Sequence, residues 1–324
     1  MEFIKASLNL RPRETPRPWP PRRLALALQG GGSFGAFTWG ALDRVLEDES
    51  IELDAISGAS AGAVNAVLLA SGLAHGGREG ARKNLSSFWT SVSQASVFLP
   101  KAVQLPIEFI LNTLTPYQFN PFDHNPLKMA LEAHVDFDIL RHGDGPRLLI
   151  GATRVSDASL RIFRNEELTV DSVLASSCLP MLNHTVEIDG EGYWDGAYVA
   201  NPPLTALVTE SDAANVLLVQ IGQTRVDSLP RSKAEIEKRI DQIVFASTLD
   251  REIEAIRALA PLCAAGDALG KWAQLRIDRI SAENEVAALA KASPGNLDWA
   301  FVSDLRNAGR VAADAWIGQT AELV

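Results

Sequence analysis

The residues best placed to do chemistry form a G-x-S-x-G pattern with Ser60 at its centre. A serine hydroxyl becomes a nucleophile when a sharp turn between a strand and a helix lifts it out of the sheet. Small neighbours leave room for that turn, and the following helix directs its N-terminal dipole at the negative charge of the reaction. The pattern therefore predicts an acyl-transfer nucleophile, although ordinary helix starts also carry such runs. The small residues around the serine are Gly58, Ala61 and Gly62.

A serine at neutral pH needs a base, and histidine is the first candidate. An esterase with the chain order serine, acid, histidine would combine Ser60 with Asp157 or Asp171 and then with His184. The last third of the chain contains no histidine, so this order is poorly served. We interpret the other four histidines as polar surface or helix-end residues. They are His75, His124, His134 and His142.

A second cluster of small residues follows the apolar run Leu24 to Gln29. Backbone N–H groups of such a turn can converge on an anion, which predicts an anion or oxyanion site. Two alternatives stay open: glycines that only allow close helix–strand packing, and a dinucleotide fingerprint. The fingerprint expects an acid at the end of the next strand, whereas Asp54 stands at its start. The cluster comprises Gly30, Gly31, Gly32, Ser33 and Gly35.

The third candidate is Asp195, which follows a predicted hairpin and precedes an Asn-Pro-Pro sequence. Taken alone, an aspartate before Gly196 and Ala197 is typical of a turn. The order of the three elements is more specific. A glycine-rich loop after the first strand, G-x-S-x-G after the second and then D-G-A followed by Asn-Pro resembles the patatin-like phospholipase family. The segment from Ala175 to Pro180 also resembles that family, and the resemblance spans Leu24 to Leu207.

This resemblance implies a Ser-Asp dyad. Ser60 would attack an ester carbonyl, Asp195 would take its proton directly, and N–H groups of the loop from Gly30 to Ser33 would hold the oxyanion. Water activated by the same aspartate would then release the acid. Poor solvation of the aspartate would raise its basicity for this role. No metal or other cofactor is expected, since no cluster of His, Cys and carboxylates has ligand spacing.

Two positions depart from the family's common pattern. Phe34 stands where many members carry Arg or Lys, and Gln29 stands where they carry Asp. A bacterial subset of the family resembles this chain more closely at both positions. The departure at Phe34 withdraws a cation that could steer a phosphate head group, so a simple acyl ester is a firmer substrate prediction than a phospholipid.

These motifs require strands that each end in a turn. Apolar runs bounded by turn residues predict those strands, and helical spacing follows each of the first two turns. Two strand-turn-helix units in succession predict an α/β fold with three α/β/α layers and a mainly parallel central sheet. The predicted strands are 24–29, 53–56, 147–152, 159–163, 185–188 and 216–222, and the first two helices are 36–46 and 63–73.

The chain divides into three parts by composition. A proline-rich N-terminal extension (1–22) precedes a patatin-like catalytic domain (23–226), and a helical C-terminal region (227–324) follows. Prolines break the periodicity from Ser86 onward, and an apolar insertion lies at about 95–126. The insertion is predicted either to gate the site and touch a membrane, or to be buried against the sheet or a second subunit. The C-terminal helices, packed on the sheet or forming their own bundle, are predicted at 234–260, 269–290 and 297–317.

Composition narrows the class of protein. With 47% hydrophobic and 22% charged residues, the chain is too apolar for a disordered protein. Its formal charge of -10 disfavours binding of nucleic acid through phosphates. Two separated cysteines and an N-terminus without the features of a secretory signal predict a cytoplasmic location, with peripheral membrane contact as an option. The uncharged stretch from Ala55 to Ala74 has the length to span a bilayer, but its small residues favour a buried strand, turn and helix.

The function predicted from these observations is hydrolysis of carboxylic esters of lipids: phospholipid, lysophospholipid or a neutral acyl ester. Two alternatives stay open. One is an α/β-hydrolase-type esterase that uses His184, and the other is a non-catalytic lipid-binding or assembly protein with the same fold. The expected partners are a lipid or acyl-ester substrate, a transient lipid surface and a second copy of the chain.

Overall fold

The computed structural model of the chain describes residues 19–98, 114–222, 224, 226, 228–263, 270–283 and 295–318. Most of the predicted N-terminal extension and residues 99–113 of the predicted insertion lie outside these ranges. Within the described residues, no helix combines the length and the apolar character that crossing a membrane requires. The domain boundaries at 22 and 226 stay predictions.

Strands and helices alternate through the first part of the chain. The strands are β1 Arg23–Leu28, β2 Glu52–Gly58, β3 Arg147–Arg154, β4 Leu160–Arg164, β5 Val186–Ile188, β6 Glu191–Asp195, β7 Asn215–Gln220 and β8 Arg276–Ser281. The α-helices are α1 Gly35–Val45, α2 Ala61–Phe98, α3 Pro116–Phe119, α4 Pro126–His134, α5 Phe137–His142, α6 Val170–Ser176, α7 Leu204–Glu210, α8 Lys233–Leu259 and α9 Trp299–Ile317.

These strands form one mixed sheet in the order β5-β6-β3-β2-β1-β7-β8, with β4 also paired to β3. Strands β3, β2, β1, β7 and β8 are parallel to one another, whereas β4 and β6 run antiparallel to β3. The predicted mainly parallel sheet is therefore confirmed. Because parallel strands deliver their carboxyl ends to one edge, the turns after β1 and β2 lie side by side.

Helices cover both faces of the sheet. Along β1, the leucines at 24, 26 and 28 pack in the core with α1, α2 and α9, while Ala25 and Ala27 pack in the core that contains α7 and α8. A strand buried on both faces has no polar alternation, which is why its sequence is a continuous apolar run. The three-layer prediction is confirmed.

The C-terminal region differs from its prediction at one element. We expected a helix at 269–290, but Arg276–Ser281 forms β8, which pairs in parallel with β7 along its whole length. Its charged side chains suit an edge strand, and Arg276 and Asp278 pair along it at 2.8 Å. The free edge of β7 decided this conformation, and no local pattern in the sequence records that edge.

The other predicted C-terminal helices are confirmed as α8 and α9, and α9 packs on α1. The axes of α1 and α9 approach each other very closely at two glycines. A Cβ on Gly40 would overlap the carbonyl oxygen of Arg306, and one on Gly309 would overlap that of Phe37. Helix α9 is thus part of the layer that covers the sheet.

Helix α2 is longer than the predicted 63–73. It continues to Phe98 across a kink at Gly76 and Gly77, where the backbone leaves helical geometry. The prediction that helical periodicity ends at Ser86 is therefore wrong as far as Phe98. The helix can continue to that residue because the first proline of the segment is Pro100. The uncharged stretch 55–74 divides into the end of β2, a turn and the start of α2.

Candidate active site

Ser60 lies in the sharp turn between β2 and α2. Its backbone φ is 54°, in the left-handed region that costs a non-glycine residue about 1–3 kcal/mol. A Cβ on Gly58 would lie 2.5 Å from the carbonyl carbon of Gly62, and one on Gly62 would overlap the carbonyl oxygen of Leu28. The Ser60 N–H donates to both the carbonyl and the hydroxyl oxygen of Ser176, each at 3.1 Å. The turn therefore holds the serine in one strained orientation.

Asp195 ends β6 and is only 1% exposed. Its Oδ1 accepts the Ala197 N–H at 2.8 Å, and its carboxylate accepts a hydrogen bond from the Ser60 hydroxyl. Its backbone is fixed as well, because its N–H donates to the Cys178 carbonyl and its carbonyl accepts from the Thr153 hydroxyl at 2.7 Å. Burial raises the pKa of Asp195 to about 7, although the two bonds to its carboxylate lower it. A base with this pKa is suited to proton transfer at neutral pH.

The glycine loop packs directly against the serine turn. A Cβ on Gly30 would lie 2.6 Å from the Cβ of Ser60, and one on Gly35 would lie 2.8 Å from the Cβ of Ala61. The two turns can approach so closely only because glycine has no Cβ. The structure thus brings the glycine loop and the serine turn into direct contact.

Hydrogen bonding distinguishes the N–H groups of this loop. The N–H of Gly30 donates to Oδ1 of Asn201 at 2.7 Å, so it is already engaged within the protein. Within the described part of the chain, the N–H groups of Gly31 and Gly32 donate to no protein acceptor. Gly32 has a φ of 61°, which bends the loop at that point. Gly31 and Gly32 are therefore the candidates for binding an anion beside Ser60.

Two buried polar residues organise the site without a role assigned from the sequence. Asn201 donates its Nδ2 to the carbonyls of Gly30 and Phe245 while accepting the Gly30 N–H. The hydroxyl of Ser176 donates to the Gly151 carbonyl at 2.6 Å and accepts the N–H of the serine turn. Both residues stand inside the motif segments that carry the family resemblance, and that position is the signal that could have identified them.

Gly196 completes the third motif. A Cβ at this position would overlap the carbonyl oxygen of Gly151 in β3. Glycine therefore allows the chain to turn away directly after Asp195, into the short 3₁₀ turn Gly196–Tyr198 that supplies the Ala197 N–H.

His184 occupies a different environment. Its Nε2 lies 3.2 Å from the first carbonyl of α3, its ring stacks on Tyr117 at a centroid distance of 4.2 Å, and its Nδ1 lies 3.9 Å from Asp123. In the part of the chain that the structure describes, no hydrogen bond or ion pair joins it to Ser60 or Asp195. The arrangement that a histidine-dependent esterase needs is not assembled here.

The dinucleotide hypothesis fails on the position of its acid. Asp54 lies near the start of β2, where it pairs with Arg23 and accepts hydrogen bonds from Ser211 and Asp212. Those partners lie at the amino-terminal ends of the parallel strands, whereas the glycine loop lies at their carboxyl-terminal ends. Among the described residues, no group of three or more His, Cys, Asp or Glu side chains could hold a metal ion.

A cavity of about 450 Å³ opens at the amino-terminal ends of the parallel strands. Its lining includes two ion pairs, Arg23 with Asp54 and Arg164 with Glu210, so these charged side chains are already paired within the protein. None of the residues that line it belongs to the three motifs. The end of the sheet that carries Ser60 is therefore the candidate for the chemistry, and this cavity is not.

The chain resembles VipD from Legionella pneumophila, with 13% identity, a TM-score of 0.43 and coverage of 91% of this chain and 66% of that one. It also resembles the ExoU–SpcU complex from the type III secretion system of Pseudomonas aeruginosa, with 17% identity, a TM-score of 0.36 and coverage of 85% and 59%. The chain thus spans less than two thirds of the length of either.

No curated protein matches the sequence. The family model for patatin-like phospholipase matches residues 26–208, which is more than half of the chain and includes all three motifs. The chain belongs to the patatin-like phospholipase family.

Proposed function

We propose that this chain is a serine acyl hydrolase that cleaves carboxylic esters of lipids, with Ser60 as nucleophile and Asp195 as its base. Family membership indicates lipid acyl hydrolase chemistry in general. The observation that carries the finer proposal is a buried carboxylate, hydrogen-bonded to a serine on a strained turn, beside a glycine loop.

Acylation needs a proton acceptor and an oxyanion site. The Ser60 hydroxyl attacks the ester carbonyl while its proton passes to the Asp195 carboxylate, and the N–H groups of Gly31 and Gly32 hold the resulting oxyanion. Collapse of the intermediate breaks the ester C–O bond, and the protonated carboxyl returns the proton to the leaving alcohol. The acyl group remains on the serine.

Deacylation uses the same groups in reverse order. A water molecule loses a proton to Asp195 and attacks the acyl carbonyl, after which the serine oxygen leaves and takes the proton back. No histidine is required, because burial already gives the carboxylate a pKa of about 7. The contacts of His184 with the start of α3 and with Tyr117 support this choice over the histidine-dependent alternative.

Apolar side chains near the site support a lipid-like substrate. Met181 and Leu182 are exposed on the turn that follows Cys178, whose carbonyl binds the backbone of Asp195. Tyr117 is exposed as well, with its ring against that of His184. We propose that the acyl chain, or a lipid surface that presents it, contacts these side chains.

The test is hydrolysis of p-nitrophenyl butyrate by the wild type, Ser60→Ala, Asp195→Asn and His184→Ala, with fluorophosphonate labelling followed by peptide mapping. We expect about a 1000-fold or greater loss of kcat in the first two variants, label on Ser60 in the wild type, and activity within about threefold for His184→Ala.

Other outcomes have defined meanings. Loss of activity in His184→Ala together with retention in Asp195→Asn indicates the histidine-dependent esterase. A folded wild type that neither turns over any ester nor takes up label indicates a non-catalytic lipid-binding or assembly protein.

A further inference from the structure

The glycine loop ends in an aromatic contact with the C-terminal helix. The ring of Phe34 meets the ring of Phe301 edge-on, with centroids 6.0 Å apart and an interplanar angle of 67°. Phe301 lies in the first turn of α9 and is only 8% exposed. A residue about 270 positions away in the chain thus supports the loop that faces Ser60.

Helix α9 is a rigid support because several contacts anchor it. Arg306 and Arg310 both donate to Asp43 of α1, whose side chain is 5% exposed. The near-contact of backbones at Gly40 and Gly309 prevents α9 from sliding along α1. Since α1 begins at Gly35, directly after the loop, the position of α9 is set relative to the loop itself.

Each end of the loop has its own anchor. Asn201 binds both backbone groups of Gly30, and Ile221 packs against Gly31, where an added Cβ would lie 3.1 Å from its Cδ1. At the far end, the Phe34 N–H donates to the Gly31 carbonyl at 3.3 Å and closes the turn. The direction of the N–H groups between these anchors therefore depends on where the Phe34 ring is held.

We propose that Phe301 is a positioning residue for the oxyanion loop, acting through Phe34 to aim the N–H groups of Gly31 and Gly32. Helix α9 lies outside the residues 26–208 that the family model matches, so this assigns a part in the reaction to the C-terminal region. The inference rests on the proposed acyl hydrolase function.

The experiment compares Phe301→Ala and Phe301→Leu with Trp316→Leu, using p-nitrophenyl butyrate and the thermal midpoint of each variant. Trp316 is a matched control, since it is also a buried aromatic of α9 but contacts Trp19 about 22 Å further along the helix. We expect Phe301→Ala to lower kcat about tenfold to hundredfold with KM within about twofold, because a misaimed donor weakens only transition-state binding. Phe301→Leu keeps most of kcat, and Trp316→Leu lowers the thermal midpoint without lowering kcat.

A double-mutant cycle of Phe34 and Phe301 tests whether the two side chains act on kcat together, apart from any effect of each substitution on stability. Phe34→Ala alone is expected to match the kcat loss of Phe301→Ala, and the double variant is expected to lose no more than either. If the two losses multiply, or if Phe301→Ala keeps the wild-type kcat, the inference is overturned while the proposed function stands. A wild type without turnover and without label on Ser60 removes both.

Discussion

Asp195 is an acid held where water cannot solvate its charge. The Ala197 N–H and the Ser60 hydroxyl lower the pKa of its carboxylate, but burial raises that pKa by more than these two partners lower it. The same burial that suits Asp195 to its proposed role as a base also makes its ionised form costly to the stability of the fold. Two predictions at the residue scale follow from this conflict.

The first concerns the pH dependence of activity. With a pKa of about 7, Asp195 is ionised and able to accept a proton only at higher pH. We expect kcat/KM for p-nitrophenyl butyrate to rise about tenfold for each pH unit below about pH 7 and to level off above that pH. The measurement is a pH profile of kcat/KM corrected for spontaneous hydrolysis. A profile that stays flat over about three pH units centred on the pKa, from about pH 5.5 to about pH 8.5, contradicts the assignment of Asp195 as the base.

The second concerns stability. The folded-state pKa of Asp195 is raised above the ordinary aspartate value of 3.8, so the folded protein binds this proton more tightly than the unfolded chain does. Its contribution to stability is therefore present at low pH and is lost as pH rises through about 7. Asp195→Asn cannot ionise, and we expect it to be more stable than the wild type at about pH 9, by up to about 4 kcal/mol. Thermal melts at about pH 5 and pH 9 check this, and an equal difference at both values speaks against it.

A third residue-scale prediction concerns Asn201. Replacing it with alanine leaves the Gly30 N–H without its acceptor and frees the start of the glycine loop. We expect kcat to fall by about tenfold or more with a smaller change in KM. Asn165 is the matched control, because its amide satisfies Leu148 and Pro146 away from the site. Asn165→Ala should lower stability and leave kcat near that of the wild type; equal kcat losses in both variants would argue for general destabilisation.

At the scale of elements, the site depends on how closely α2 crosses the end of β1. Gly62 stands in the first turn of α2, directly against the carbonyl of Leu28, and Gly58 closes the same gap from β2. Backbone atoms form these contacts, so no side chain can move aside to relieve a clash. The strand-turn-helix unit therefore tolerates only glycine at this crossing.

Gly62→Ala tests this directly. An added methyl group must displace β1 from α2, and we expect a loss of at least about 2 kcal/mol in the free energy of unfolding together with loss of esterase activity. Gly145→Ala is the control, since Gly145 is exposed and an added Cβ there meets nothing within 4 Å. Chemical denaturation of both variants is the measurement. Comparable stability of the two would show that the crossing is looser than described.

At the scale of the whole molecule, one buried acid ties together helices from distant parts of the chain. Asp43 of α1 accepts hydrogen bonds from Arg82 of α2 and from Arg306 and Arg310 of α9. Burial raises the pKa of Asp43, but the bonds from Arg82 and Arg310 more than offset this and lower it. Its stabilising contribution is therefore complete above the ordinary aspartate pKa of 3.8 and is lost as pH falls through the lower folded-state pKa.

Removing this acid should loosen the C-terminal helix. Asp43→Ala leaves three arginines around a buried position, and we expect it to cost about 3–5 kcal/mol of the free energy of unfolding at neutral pH. Asp314→Ala is the matched control, because Asp314 also pairs with an arginine, Arg44, but is 67% exposed. Its removal should cost less than about 1 kcal/mol. Similar losses in denaturant titrations of the two variants would contradict the role given to Asp43.

The sequence by itself determined the local units that build the site. The strands before both turns, the helices after them and the three motifs follow from short-range sterics and from apolar runs, which a single stretch of chain expresses fully. The family resemblance on those motifs is confirmed by the family model. Helices α8 and α9 were also evident, because their apolar stripes repeat with helical spacing.

Only the tertiary structure decided what joins these units. It turned 276–281 into an edge strand because β7 offered an unpaired edge, and it placed Asn201 on Gly30 and Phe301 on Phe34. It also gave His184 partners in α3 and not in the serine turn, a matter that counting residues along the chain cannot settle. Contacts between residues more than a hundred positions apart depend on the packing of the complete fold, and no local pattern in the sequence records them.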